Sequence, residues 1–217
     1  MDVAKMIRER HSVRSYLNIP IPEETLDLLQ AEIERINEES GLHIQLMTNA
    51  DKVFDKLSSH FLGWGYVPCY LAVVGPDTPE LEETCGWYGE HLVLFLQSLG
   101  LNSCWAGMFR RSAVKAEVGP GEKLVITIAF GFGVSKGKAR KSKEPEDVTD
   151  LAELPAWFRA GLEAAMLAPT AINQQKFFFT LDGDRPIASV SGKGPFVDLD
   201  LGIVKYHFAA VTGKKPD

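Results

Sequence analysis

No apolar run in this sequence approaches the roughly 18 residues that a bilayer-spanning helix requires. The opening residues Asp2, Lys5, Arg8, Glu9 and Arg10 are too charged for the core of a signal peptide. Both absences lead to the expectation of a cytoplasmic protein with no membrane partner. Cysteine is scarce: Cys69, Cys85 and Cys104 are odd in number and show no CxxC spacing, which argues against a disulfide framework and a structural zinc site and suits reduced thiols. The five histidines, at positions 11, 43, 60, 91 and 207, have no HExxH spacing, and no GxSxG frames a serine. Metal-dependent and serine-dependent hydrolysis thus lose their usual signatures, and no metal site is expected. Positive charge is in deficit too, with 23 Lys and Arg against 29 Asp and Glu for a net charge of -6, so no nucleic-acid partner is expected. One basic run remains, Lys136, Lys138, Arg140, Lys141 and Lys143, which leaves room for a single anionic ligand.

What is present is a globular composition, with 45% hydrophobic and 24% charged residues in 217. A chain of this length buries one core or two small halves sharing one. Leu26, Leu29, Ile33 and Ile36 recur at helical spacing behind Pro22, Glu23 and Glu24, which predicts an amphipathic helix over 22–38. Residues 89–99 are apolar nearly all round and end at Gly100, the pattern of a buried helix. Further helices are predicted over 155–167, stopped by Pro169, and over 203–211, capped by Gly213. Strand-length runs rich in β-formers occupy 43–47, 70–74, 124–130 and 177–181. Helices around one central sheet is the economical architecture. The two parts of the chain share a weak pattern, a proline-led helix, a strand, a loop and a glycine-bounded helix, which makes a degenerate repeat plausible.

The stretch GFGVSKGKA after the 124–130 run invites a nucleotide-loop reading and fails it. Gly133 to Gly137 leaves three intervening residues where a phosphate loop needs four, and Ala139 replaces the hydroxyl residue. As a dinucleotide fingerprint it fails as well, because Lys136 falls where a third glycine belongs.

Two polar segments carry more. Arg8, Arg10 and Arg14 fall within seven residues, with His11, Ser12 and Ser15 between them. That donor density suits an anionic, polyhydroxylated ligand, the plain alternative being the solvated basic end of a first helix. Far downstream, Pro169 opens a turn that presents Thr170, Asn173 and Gln175. Such a turn can hydrogen-bond the edge of a heterocycle, or simply cap backbone groups between a helix and a strand. Alone, neither segment decides; their co-occurrence does.

Arg10, His11, Ser12 and Arg14 resemble the RxSxR/K opening of the FMN-dependent nitroreductases, and Ala168 to Gln175 resembles that family's APSxxNxQP segment, with Thr170 for Ser and Lys176 for Pro. Gly100 to Gly107 is similar to the family's glycine-rich stretch beside the flavin ring, and Lys141, Ser142, Lys143, Glu144, Pro145 to its phosphate-binding KxR followed by Pro. The order differs from the usual one: the APS-like segment is missing from 40–48 and stands after the phosphate lysines. The resemblance therefore implies a divergent, Thermotoga-type branch in which one chain imitates the usual dimer, with 1–150 as a nitroreductase-like half and 151–217 completing the pseudo-dimer and the flavin site. The fold it implies is α+β, a three-layer αβα sandwich with helices around a central mixed, mainly antiparallel sheet.

The same resemblance implies an FMN cofactor and hydride transfer from NAD(P)H to a small nitroaromatic, quinone or similar acceptor in ping-pong order, by a monomeric pseudo-dimer or a homodimer. Arg10 with Lys141 and Lys143 would hold the phosphate, and Ser12 the ribityl chain or ring edge, with His11 part of the same motif. Arg14 would stabilise negative charge near N1 and O2 of the ring. Ala106 and Gly107 would bring backbone close to the ring, Gly107 otherwise merely ending a strand. Pro169, Thr170, Asn173 and Gln175 would meet the pyrimidine edge. No catalytic acid, base or nucleophile is required of the protein, since flavin carries the chemistry. The aromatics Trp64, Tyr66, Trp87 and Tyr88 read as core or rim packing. Other flavin reductions, a non-catalytic FMN or nucleotide binder, and a plain interaction domain are the alternatives.

Overall fold

The computed structural model describes residues 2–54 and 63–217; His60 lies outside the described residues. The chain divides into two compact units built from interleaved segments, 1–9, 82–91 and 140–217 in one and 10–81 with 92–139 in the other. Among the described residues no helix is long and apolar enough to cross a membrane.

The second unit is built on a four-stranded sheet. Its strands are β1 (Gln45–Met47), β2 (Cys69–Pro76), β3 (Asn102–Ala106) and β4 (Glu122–Gly131), in the order β1-β2-β4-β3. All strand pairs are antiparallel. A parallel bridge from Ser12 to Ser103 at the free edge of β3 makes the arrangement mixed but mainly antiparallel. β2 is buried from Cys69 to Gly75 and β4 from Val125 to Gly131, as central strands covered on both faces must be. Helix α2 (Glu23–Ser40) begins with Glu23 and Glu24, where acids complement the helix dipole, and ends at Gly41 in the left-handed region with φ 71°. Its buried stripe is Leu29, Ile33 and Ile36, the spacing read from the sequence.

The first unit is helical with a hairpin. It contains α1 (Val3–Glu9), residues 82–91 of α3 (Leu81–Ser98), α4 (Ala156–Met166), α5 (Val197–Thr212), and the strands β5 (Phe177–Asp182) and β6 (Arg185–Val190). Phe208 of α5 stacks on Phe179 of β5 with ring centroids 5.0 Å apart, and meets Phe158 of α4 edge-on at 5.6 Å. Burying each such ring contributes roughly 1.5–3 kcal/mol. Gly161 of α4 makes room, since a Cβ there would sit 2.3 Å from the Phe208 ring.

Three expectations need correction. The 177–181 strand does not join a single central sheet; it pairs with β6 in a sheet of its own, closed by the two-residue loop Gly183-Asp184 with Gly183 at φ 64°. Pro186 hid β6 from a strand reading, because proline inside a run is tolerated only at an edge or a strand's start. α3 begins eight residues before Gly89 and α5 six before Ile203, since Gly89 and Gly202 sit inside these helices instead of opening them.

Candidate functional site

The arginine-rich segment is an extended arm laid along the free edge of β3. Val13 N–H donates to the Ser103 carbonyl at 3.0 Å, and Tyr16 N–H to the Tyr66 carbonyl at 2.9 Å. The Tyr16 hydroxyl, buried, donates to the Val13 and Ala129 carbonyls. Along the arm Val13 and Tyr16 are buried, while Ser12 is half-buried and Arg14 exposed. Arg10 is 4% exposed, low for a guanidinium, which is seldom buried without partners.

Arg14, Ser12 and Arg10 converge on one neighbour, Cys104 of β3. Burial pushes its thiol up, opposed by the charge of Arg14, a Ser12 hydrogen bond and the charge of Arg10. His11 lies against Gly137. Gly137, at φ 77°, brings its backbone over the arm so closely that a Cβ there would lie 2.6 Å from His11 Cβ and 3.2 Å from the Ser12 carbonyl oxygen. The GFGVSKGKA stretch that fails as a nucleotide loop is thus a cover for the arm, which its glycine spacing alone did not disclose. Ala106 is 3% exposed and ends β3, its carbonyl accepting from the Thr127 hydroxyl at 3.2 Å; Gly107 follows directly. The donor set, two guanidiniums, a hydroxyl and an imidazole beside a glycine-lined backbone, fits an anionic, polyhydroxylated group.

The remaining expected site residues lie in the other unit and form a cluster of their own. Gln175, 3% exposed, is enclosed by bonds: its Oε1 accepts from Lys143 N–H at 3.0 Å, its Nε2 donates to Ser142 Oγ at 2.8 Å, and its carbonyl accepts from Lys143 Nζ at 2.9 Å. Asn173 Nδ2 donates to the Lys141 carbonyl at 2.8 Å, and Thr170 Oγ1 accepts from Gln175 N–H at 3.2 Å. Arg140 donates to the Ala168 carbonyl, and Pro169 is buried beside it. The structure therefore brings Lys141, Lys143, Pro169, Thr170, Asn173 and Gln175 together, with several of their polar groups joined to one another.

Sequence reasoning missed Asp200, on the first turn of α5. It is 5% exposed and accepts from Ala171 N–H and Gln174 Nε2. Burial pushes its carboxyl up to about 6, against those hydrogen bonds and the nearby Arg140 charge. Its strand-like setting, Val197-Asp198-Leu199-Asp200-Leu201, disguised it as a solvent-facing residue. A cavity of about 510 Å³ in the sheet unit, with Met47, Asn49, Lys52, Arg110, Ser112 and Lys115 in its wall, contains none of the expected site residues.

A comparison with curated protein sequences finds no match. Among solved structures, the chain is similar to one described as a putative nitroreductase from Thermotoga maritima, with 24% identity and a TM-score of 0.67 over 97% of this chain and 83% of that one. It is also similar to a structure described as a putative nitroreductase in complex with FMN from Desulfovibrio desulfuricans, with 17% identity and a TM-score of 0.53 over 70% of this chain and 96% of that one. These likenesses show the nitroreductase fold. The profile of the family described as "Putative TM nitroreductase" matches residues 2–212, and a match over nearly the whole length shows that this chain belongs to that family.

Proposed function

We propose that the protein is an FMN-dependent oxidoreductase that takes hydride from NAD(P)H and delivers it, in ping-pong order, to a nitroaromatic, quinone or similar small acceptor. Membership of a nitroreductase family supports the oxidoreductase class. One observation carries the cofactor: Arg10, Ser12 and Arg14 meet around Cys104 on the edge of β3, under the backbone of Gly137. Bound there, FMN would supply a hydride acceptor and donor that no side chain in the cluster offers.

The chain's own residues bind and stabilise. Arg10, held at low exposure, suits a phosphate because a guanidinium keeps its charge when desolvated. Ser12 offers a hydroxyl to a polyol or a ring edge. Arg14 places a cation where reduction leaves negative charge, an effect that lowers the barrier as well as favouring binding. In the other unit, the Thr170–Gln175 turn and the Lys141–Lys143 segment are assigned to flavin contact on the resemblance and on their own donor chemistry.

The test is a visible spectrum of the purified protein with FMN, before and after anaerobic addition of NADPH. A bound flavin that bleaches supports the reading; FMN bound but never bleached favours a non-catalytic binder, and no FMN binding removes the reading altogether. Arg14→Ala is expected to slow bleaching by about tenfold to a hundredfold, more than it weakens FMN binding. Equal loss in both would assign Arg14 to binding alone.

A further inference from the structure

The Thr170–Gln175 turn holds a conformation that its residues do not favour. Ile172, Asn173 and Gln175 have φ of 48°, 56° and 45°, the left-handed region in which a β-branched residue is an outlier. Asn173 tolerates this region but Ile172 and Gln175 are strained in it, and such a conformation persists only where the surroundings impose it. The strain gains nothing for the core, since Ile172 at the apex is 85% exposed.

Asp200 braces the turn from beneath, beside the bonds from Asn173 to Lys141 and those joining Gln175 to Ser142 and Lys143. Asp200 accepts Ala171 N–H with both carboxylate oxygens, at 2.9 and 3.1 Å, and Gln174 Nε2 with Oδ2 at 2.7 Å. Gln174 Nε2 also donates to the Pro195 carbonyl at 2.8 Å, while Gln174 Oε1 is buried with no hydrogen-bond partner. An amide that leaves its own acceptor unused in order to point its donors at a carboxylate is oriented by that carboxylate, because an unmet buried acceptor costs roughly 1–3 kcal/mol. The network is built around Asp200.

We propose that Asp200 is a positioning residue of the flavin site: it locks the strained Thr170–Gln175 turn in the shape that meets the ring edge, with Ile172 set outward at its apex. The proposal rests on the FMN reading above. It treats the strain as preorganisation, a cost met on folding so that the ligand does not have to order the turn on binding.

The experiment compares wild type, Asp200→Asn, and Asp200→Asn combined with Gln174→Glu. Three quantities are measured: FMN affinity by flavin fluorescence, hydrogen exchange at the Ala171 amide, and thermal melting to confirm the fold. Asp200→Asn keeps the side chain's shape but leaves one acceptor oxygen where the carboxylate has two, so an NH2 faces either the Ala171 N–H or the Gln174 NH2. FMN Kd is expected to rise about tenfold, the effect of losing one hydrogen bond to a charged group, and exchange at Ala171 to quicken. The double variant restores a carboxylate opposite an amide while giving up the bond from residue 174 to the Pro195 carbonyl, so part of the FMN affinity should return, a recovery that a general loss of stability would not produce. Faster exchange with unchanged FMN affinity overturns the proposal, as does unchanged exchange. Wild-type protein that binds no FMN removes the flavin reading and the ligand of the turn with it, whereas normal wild-type binding with an unaffected Asp200→Asn variant removes the proposal alone.

Discussion

Replacing Glu90 by alanine is expected to destabilise the protein by about 3–5 kcal/mol, the effect of breaking a fully buried pair by removing one partner. Glu90 on α3 and His207 on α5 both have 0% side-chain exposure, and Glu90 Oε1 lies 2.8 Å from His207 Nε2. The other ring nitrogen, Nδ1, lies 3.0 Å from the Ala164 carbonyl of α4. A carbonyl oxygen only accepts, so Nδ1 carries a proton and donates to it. One imidazole therefore ties three helices of the unit together by directional bonds, where hydrophobic contact alone would tolerate rotation. Removing the Glu90 side chain leaves Nε2 facing a cavity from which water is excluded. In a chain of this size the melting temperature should fall by about 10 °C, at roughly 2–4 °C per kcal/mol. The double variant Glu90→Leu with His207→Leu is expected to lose less than Glu90→Ala alone, because replacing both partners by apolar groups removes the desolvated polar atoms together. Chemical denaturation of the three proteins checks this. A Glu90→Ala loss under about 1 kcal/mol would place the pair with ordinary surface ion pairs.

That pair bears on function through α5. The helix carrying His207 also carries Asp200, the anchor of the Thr170–Gln175 turn, about two helical turns earlier. Loosening the seat of α5 should therefore reach the turn as well as the global stability. A Glu90 variant that melts low yet keeps wild-type exchange at Ala171 would show the two ends of α5 to be independent.

The sequence disclosed those elements whose burial follows a simple period. The Leu29, Ile33, Ile36 stripe located α2, and the β-rich runs located β2 and β4, because one face or both are covered and little else competes. It misjudged α3 and α5 where a second helix dictates the residue. Gly89 and Gly202 look like helix starts, and Asp198 and Asp200 alternate with apolar residues like a strand, yet all four lie inside helices. Tertiary demand overrides local preference at those positions.

The candidate site divides in the same way. Arg10, His11, Ser12 and Arg14 were singled out by their donor chemistry together with the downstream turn, and the structure gathers Arg10, Ser12 and Arg14 around Cys104. Their attachment to β3 was not legible, since the Ser12–Ser103 bridge joins residues far apart in sequence. Nor does sequence disclose that Gln175, expected as a ligand contact, is also a buried brace bonded to Ser142 and Lys143. A polar residue in a turn looks the same whether it faces a ligand or the backbone of its neighbours. Asp200 carries no motif, and only its burial and its bonds to Ala171 and Gln174 mark it.

Alanine at Gly202 or Gly86 is a test in which two physical effects predict opposite signs. Intrinsic helix propensity favours alanine over glycine in a helix interior by about 1 kcal/mol, so each substitution should stabilise if propensity rules. Packing forbids it. A Cβ at Gly202 would lie 2.0 Å from the Glu83 carbonyl oxygen and 2.8 Å from Trp87 N, and one at Gly86 2.0 Å from the Leu199 carbonyl oxygen and 3.0 Å from Ile203 N. Every one of these is a backbone atom, unable to swing aside as a side chain would, so relief requires α3 and α5 to separate. Overpacking of this kind typically costs about 1–3 kcal/mol, and separation would also strain the Lys205 to Glu83 ion pair at 2.6 Å and the Glu90 to His207 pair, which join the same two helices. The expected result is a net loss of about 1–2 kcal/mol for Gly202→Ala, and more for Gly202→Val, whose second branch widens the clash. A stabilised Gly202→Ala in chemical denaturation would mean that the helices do not approach at these two glycines. It would also remove the reason that glycine is required at these two positions in the helix interiors.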